Sequence, residues 1–295
     1  MKKDIFSESE RLDRITSEIR ETLTRWGYEE VFLPSVVEHD DNLRKGLNIT
    51  YQNEFYSVKP DPTSQIALNF KDGLPIRKFY IKDILDGIEG TFQAGIEFLC
   101  GDPVRNKVEI LNILISVLER LKIEDFYVDI GSLKIWKETI EDIKEHGEDI
   151  FEALRRRNLS LIDDLPISSE KKEELWDLLN LRGEKCGFDK IDRLIDLVDD
   201  DRFYADLGTV RPLPYYDDVI FEIYSPRAGF PIGAGGEYKL DGTHGCGFAL
   251  DLKIISEIYK MEEEDDFVVV GGDLRTSYRR ARELVQKGEK VRMEI

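Results

Sequence analysis

Apolar residues recur at three- and four-residue spacing over residues 7–26, with Leu12, Ile15, Ile19 and Leu23 on one side, which predicts an amphipathic helix. Gly27 follows as its stop. The run Val31-Phe32-Leu33 predicts a short strand halted by Pro34. Alternating and β-branched runs predict strands over 53–58, 77–84, 90–99 and 126–130. Between the last two, the periodicity of residues 104–121 predicts a long helix.

The pattern changes at residue 134. From there to about 200 the chain is rich in Glu, Lys, Asp and Leu, and 150–157, 170–181 and 191–198 read as short helices. The charge runs here are most simply solvated helix faces. Strand character returns at Phe203 and is strongest over 219–224. A glycine-rich turn is expected over 229–236. Residues 247–250 then lead into a helix over 252–261. The acidic run 262–266 reads as a linker to a β-α-β piece made of 267–270, 277–287 and 291–295, too small to be a complete domain. The expected organisation is a core over 1–262, interrupted by a helical insertion at about 134–200, and a short C-terminal segment over 263–295.

A chain of 295 residues with 41% hydrophobic and 35% charged residues has enough apolar material for a sizeable core. The net charge of −19 repels phosphate backbones and argues against a nucleic-acid partner. Cys100, Cys186 and Cys246 lack CxxC spacing, and His39, His146 and His244 are scattered, so neither a metal site nor any other cofactor is expected. No apolar run is long enough for a membrane span and no signal core follows the N-terminus, so a cytoplasmic protein with free thiols is expected.

Four segments stand in a telling order: Lys59-Pro60-Asp61-Pro62-Thr63, Thr91 to Glu97, Arg211-Pro-Leu-Pro-Tyr215-Tyr216, and Gly235-Gly236-Glu237-Tyr238. Together they resemble the amino-acid pocket of histidyl-tRNA synthetases. The helix, glycine, strand and proline at the start resemble motif 1 of class II synthetases. The resemblance implies an α+β fold, a class II aminoacyl-tRNA synthetase-like antiparallel sheet flanked by helices. A pocket for free histidine needs acceptors for the ammonium, a cation for the carboxylate, and an acceptor and a flat partner for the imidazole. By the likeness, Asp61 and Thr63 would receive the ammonium and Gln93 would span the backbone groups. Glu97 would face the imidazole, on the strand face it shares with Gln93 and Gly95. Arg211 would fork onto the carboxylate, Tyr215 and Tyr216 would pack on the ring, and Gly235 and Gly236 would let the backbone approach. Taken singly, Glu97 reads equally as an ion-pair partner, and the tyrosines as strand aromatics, one in and one out.

The departures from the family decide the functional expectation. Asp86 stands where motif 2 carries an arginine, and the following loop is cut to Gly87-Ile88-Glu89-Gly90. Ile254 stands at the motif 3 arginine, Glu237 at the arginine of Gly-Gly-Arg-Tyr, and Pro214 at an aspartate. An aspartate facing a phosphate repels it where an arginine would stabilise it, so adenylation is not expected and no catalytic residue is assigned.

The pattern resembles the regulatory subunits of ATP phosphoribosyltransferase. That likeness implies a non-catalytic activator of the short-form ATP phosphoribosyltransferase catalytic subunit, with L-histidine as effector. It also implies a homodimer, formed through residues 8–34, within a hetero-oligomer. Two alternatives remain at this level: a divergent ATP-dependent ligase of histidine or another amino acid, and a scaffold whose pocket is a relic.

Overall fold

The computed structural model describes residues 5–71, 73–156, 160–210, 215–261 and 267–294. The backbone divides into two compact units, Met1–Tyr259 and Lys260–Ile295.

In the first unit, α1 (Ile5–Arg25) buries Ile15, Ile19 and Leu23, the stripe its spacing predicts. Gly27, at φ +80°, turns the chain after it. The next strand is β1 (Glu29–Glu30), paired in parallel with β5 (Ile76–Asp86). The strand expected over 31–34 is therefore displaced. Val31 adds one more bond, its N–H donating to the Phe79 carbonyl, and the ladder then stops. The physical reason is Pro34, and the carbonyls of Leu33 and Pro34 accept instead from Lys82 Nζ.

Three short strands, β2 (Val36–Glu38), β3 (Leu47–Tyr51) and β4 (Glu54–Val58), form a separate small sheet in the order β2-β4-β3. Then comes α2 (Pro62–Asn69), which the sequence pattern did not reveal. Asp61 caps it, accepting from Ser64 N at 2.9 Å, and Pro62 occupies the first turn.

The strands β5 and β6 (Glu89–Leu99) form a long hairpin in register from Ile76↔Leu99 to Asp86↔Glu89. Its turn is only Gly87-Ile88, with Gly87 at φ +63° as a tight two-residue turn requires. Next, α3 (Pro103–Arg120) is capped by Asp102 and lays Ile110, Leu111, Leu114 and Leu118 on the sheet. The strand β7 (Tyr127–Ser132) opens the insertion. It comprises α4 (Leu133–Thr139), a 3-10 segment (Glu141–His146), α5 (Gly147–Arg156), α6 (Ser160–Asp163), α7 (Ser169–Asn180), β8 (Arg182–Gly183) and α8 (Asp189–Val198). The chain returns through β9 (Phe203–Asp206), β10 (Tyr216–Tyr224), β11 (Gly233–Leu240), β12 (Thr243–Asp251) and α9 (Leu252–Ile258). Half of the glycine-rich segment expected as a turn is thus the strand β11.

Among the described residues the main sheet runs β1-β5-β6-β12-β11-β10-β7-β9-β8, antiparallel except for the β1–β5 and β7–β9 pairs. One face carries the large core, where α1, α3, α8 and α9 pack over Phe79, Ile96, Phe98, Phe221 and Phe248. The other carries a small cluster of Ile66, Ala67, Tyr80, Leu99, Tyr215, Tyr238 and Leu240, with α2 against β11. The α+β architecture is as expected: a largely antiparallel sheet flanked by helices, with a helical insertion.

The second unit is β13 (Phe267–Val270), α10 (Leu274–Gln286) and β14 (Lys290–Met293). Its two strands pair in parallel, as a β-α-β crossover demands. No helix among the described residues is long and apolar enough to cross a membrane.

Candidate functional site

The small-cluster face of the sheet holds a cleft of roughly 150 Å³ between α2, the β5–β6 hairpin and strands β11 and β12. Of the residues singled out from the sequence, Asp61, Thr63, Gln93, Glu97, Tyr215, Tyr216, Gly235 and Gly236 all line it. Arg211 and Pro214 lie outside the described residues.

Glu97 sits at the bottom, 2% exposed. One carboxylate oxygen accepts from Thr63 Oγ1 and the other from Tyr238 Oη, each at 2.6 Å. No cation pairs with it among the described residues, although Lys78 is its cross-strand neighbour, because Lys78 pairs with Glu29 at 2.5 Å. Burial pushes the Glu97 carboxyl up to about 8, against the pull of its two hydroxyl donors. A carboxyl held this way has lost its hydration without gaining a counter-charge, so a donor entering the cleft gains a strong partner.

Asp61 is also buried, and desolvation raises its pKa against the bond from Ser64 and the nearby Lys45 and Arg44. Its Oδ2 is committed to capping α2. One carboxylate therefore builds the helix that brings Thr63 to Glu97 and also faces the cleft.

Period two along β6 places Gln93, Gly95 and Glu97 on the cleft face, while Ala94, Ile96 and Phe98 enter the large core. The room that Gly95 leaves is taken by the Tyr80 phenol from β5, which a Cβ at Gly95 would strike. Gly247 plays the same part toward Glu97 and the Ile96 carbonyl. Tyr215 and Tyr216 do not split one in and one out. Tyr215 stands in the turn before β10, where strand alternation does not apply, and the two rings lie 5.1 Å apart at 60°. Tyr215 also meets Tyr238 edge-on at 6.0 Å. Of the glycine pair, Gly235 has a second cause: on the core side a Cβ would press on the Phe221 ring at 2.5 Å.

Four cleft residues with polar or charged side chains were not singled out as site residues from sequence: Tyr80, Tyr238, Lys45 and Asp251. Tyr80 was reachable, since it pairs with Gly95 in a hairpin whose two strands were both recognised. Lys45 follows no local pattern and arrives only through the loop that precedes β3.

The positions that depart from the synthetase pattern separate in space. Asp86 ends β5 at the hairpin tip, where Lys45 Nζ lies 3.4 Å from it. Ile254 is in the first turn of α9 and packs against the large core. Glu237 points away from the cleft, to the buried Lys107 of α3 at 2.6 Å. It therefore does not stand among the groups that would face a phosphate in the cleft. The reason is alternation: its neighbours Gly236 and Tyr238 take the cleft face of β11.

A family model for histidyl-tRNA synthetase matches the chain in two segments, residues 80–198 and 185–255, which span the hairpin, the insertion and the glycine strands. The chain belongs to the histidyl-tRNA synthetase family. Within this family it is 26% identical to an ATP phosphoribosyltransferase regulatory subunit of Thermoanaerobacter sp., over 81% of this chain and 76% of that one. It is also 26% identical to a histidine–tRNA ligase of Saccharolobus solfataricus, over 92% of this chain and 78% of that one. The family fold is seen in a crystal structure of an ATP phosphoribosyltransferase regulatory subunit/histidyl-tRNA synthetase from Bacillus halodurans. That structure superposes with a TM-score of 0.75 at 20% identity, covering 97% of this chain and 89% of the other. The class II synthetase-like α+β fold follows.

Proposed function

We propose that the chain is a non-catalytic regulatory subunit that binds the short-form ATP phosphoribosyltransferase catalytic subunit, activates it, and senses L-histidine for feedback inhibition. The observation that carries this is the pairing of two features in one cleft. At its bottom, Glu97 stands without a counter-charge among the described residues and in a cleft lined by four tyrosines, an environment that suits an imidazole N–H and a flat ring. At its mouth, the hairpin that would reach over ATP is reduced to a two-residue turn that follows Asp86. An amino acid is thus accommodated where a triphosphate is opposed. The similarity to regulatory subunits of ATP phosphoribosyltransferase supports the same reading.

In this role the ligand would touch Asp61, Thr63, Gln93, Glu97, Arg211, Tyr215, Tyr216, Gly235 and Gly236. The subunit would act in the cytoplasm as a homodimer, formed through α1 and the segment after it, within a hetero-oligomer. Histidine would shift the complex by its differential affinity for the active and inhibited states. The catalytic chemistry would lie wholly in the partner.

The test is to mix this chain with the short-form catalytic subunit of the same organism and follow phosphoribosyl-ATP formation. Activation that histidine suppresses, and that Glu97→Ala makes insensitive to histidine, is expected. Absence of both association and rate change would sink the proposal. The second reading is an ATP-dependent ligase, favoured by the similarity to the Saccharolobus ligase. Histidine-dependent exchange between ATP and labelled pyrophosphate would establish it instead.

A further inference from the structure

The cleft is lined by three carboxyl groups, Asp61, Glu97 and Asp251, and by a single cation among the described residues, Lys45. A zwitterionic amino acid cannot settle on carboxyl groups alone, because its own carboxylate needs a donor.

Lys45 is held in place from both sides. The Arg44 carbonyl before it accepts from Asp61 N at 2.8 Å, and Gly46 N after it donates to the Leu85 carbonyl at 2.6 Å. Between them Lys45 adopts a left-handed backbone, φ +53°, sparsely populated for a residue with a side chain. Gly46 cannot carry a side chain here, since a Cβ would lie 2.9 Å from both Pro60 Cα and the Val58 carbonyl. The loop is thus clamped between the segment that leads into α2 and the tip of the β5–β6 hairpin.

The ammonium lies near Asp61 and acts on its ionisation. Its partner Asp86 is 3.4 Å away and 69% exposed, longer than a charge-assisted hydrogen bond and open to water. Such a pair exchanges readily for a better acceptor. An amino acid's ammonium and carboxylate hang on one carbon, so their acceptor and donor in a site must be neighbours, as Asp61 and Lys45 are.

We propose that Lys45 binds the α-carboxylate of the amino-acid ligand, beside the Arg211 contact that the family likeness implies, with Asp86 as the counter-ion that the ligand displaces. This rests on the amino-acid reading of the cleft and names a binding residue that its family likeness does not supply. Asp86 then has a role in its own right: it holds the lysine when the cleft is empty and competes with the ligand.

The experiment is calorimetric titration of the full chain with histidine and with histidinol, which keeps the imidazole and ammonium but replaces the carboxylate with a hydroxymethyl group. Wild type is expected to prefer histidine. Lys45→Met should weaken histidine by about 10- to 100-fold while leaving histidinol within about twofold. Lys45→Arg should retain most of the preference. Asp86→Asn should tighten histidine a few-fold and leave histidinol unchanged, which a merely structural role would not do. An unchanged histidine-to-histidinol ratio in Lys45→Met overturns the assignment to Lys45 while the pocket reading stands. If wild type binds neither compound, the pocket reading fails and the proposal with it.

Discussion

Thr63 on α2 donates its hydroxyl to Glu97 on β6 across 2.6 Å, joining two elements 34 residues apart in sequence. With the Tyr238 hydroxyl on the other oxygen, both carboxyl oxygens are hydrogen-bonded, yet no counter-charge pairs with them among the described residues. Its titration is the property most open to measurement.

The folded-state pKa of Glu97 is raised from 4.5 to about 8, so the folded protein favours the neutral form. The contribution is fully present below the unfolded value and is lost as pH rises through the window from 4.5 to about 8, because only the unfolded state ionises there. Stability measured by urea unfolding should fall across that window, by an amount on the order of a few kcal/mol. Glu97→Gln should flatten the fall. Equal slopes in both proteins would show that Glu97 is not the titrating group.

Removing a donor should move the same window. The Tyr238 hydroxyl bond lowers the Glu97 pKa, so Tyr238→Phe should raise it and carry the upper edge of the pH dependence above about 8. Carboxyl carbon chemical shifts of labelled Glu97 followed across pH give the direct readout. A midpoint that moves down would contradict the role of the bond.

Lys107 is 4% exposed and pairs with Glu237 at 2.6 Å on the core side of the sheet, with Lys190 3.9 Å from the same carboxylate. Glu237→Gln should cost about 3–5 kcal/mol, since it leaves a buried ammonium without its charge partner. Lys107→Met combined with Glu237→Met should recover most of that loss. Ligand affinity of the double variant should match wild type, because Glu237 faces away from the cleft. A large loss of binding would place it in the site after all.

Gly95→Ala should strike the buried Tyr80 ring and cost about 1–3 kcal/mol as an overpacked core does. At Gly87, where nothing stands within 4 Å, the same change meets only the left-handed backbone, for about 1 kcal/mol. Thermal unfolding of the two variants side by side checks the order. The Gly95 variant should also lose ligand affinity, whereas Gly87→Ala should keep it.

The long elements were legible in sequence because each signals itself. The stripe Leu12, Ile15, Ile19 and Leu23 reports α1, the alternation through Gln93, Gly95 and Glu97 reports β6, and the change in composition near residue 134 reports the insertion. The helix α2 was missed because its apolar pattern is weak, although Asp61-Pro62-Thr63-Ser64 is a good capping start. The strands β2 and β3 were missed because they are short and largely exposed.

Sequence alone determined most of the long elements, since periodicity is a local property of the chain, and likeness to the histidyl-tRNA synthetase motifs pointed to eight of the residues that meet in the cleft. Tertiary structure alone decided which way they face and what they meet. It turned Glu237 to Lys107, filled the gap above Gly95 with Tyr80, carried Lys45 in from a distant loop and left Glu97 without a counter-ion among the described residues. Those outcomes depend on strand register and on burial, which arise only when segments far apart in the chain pack together.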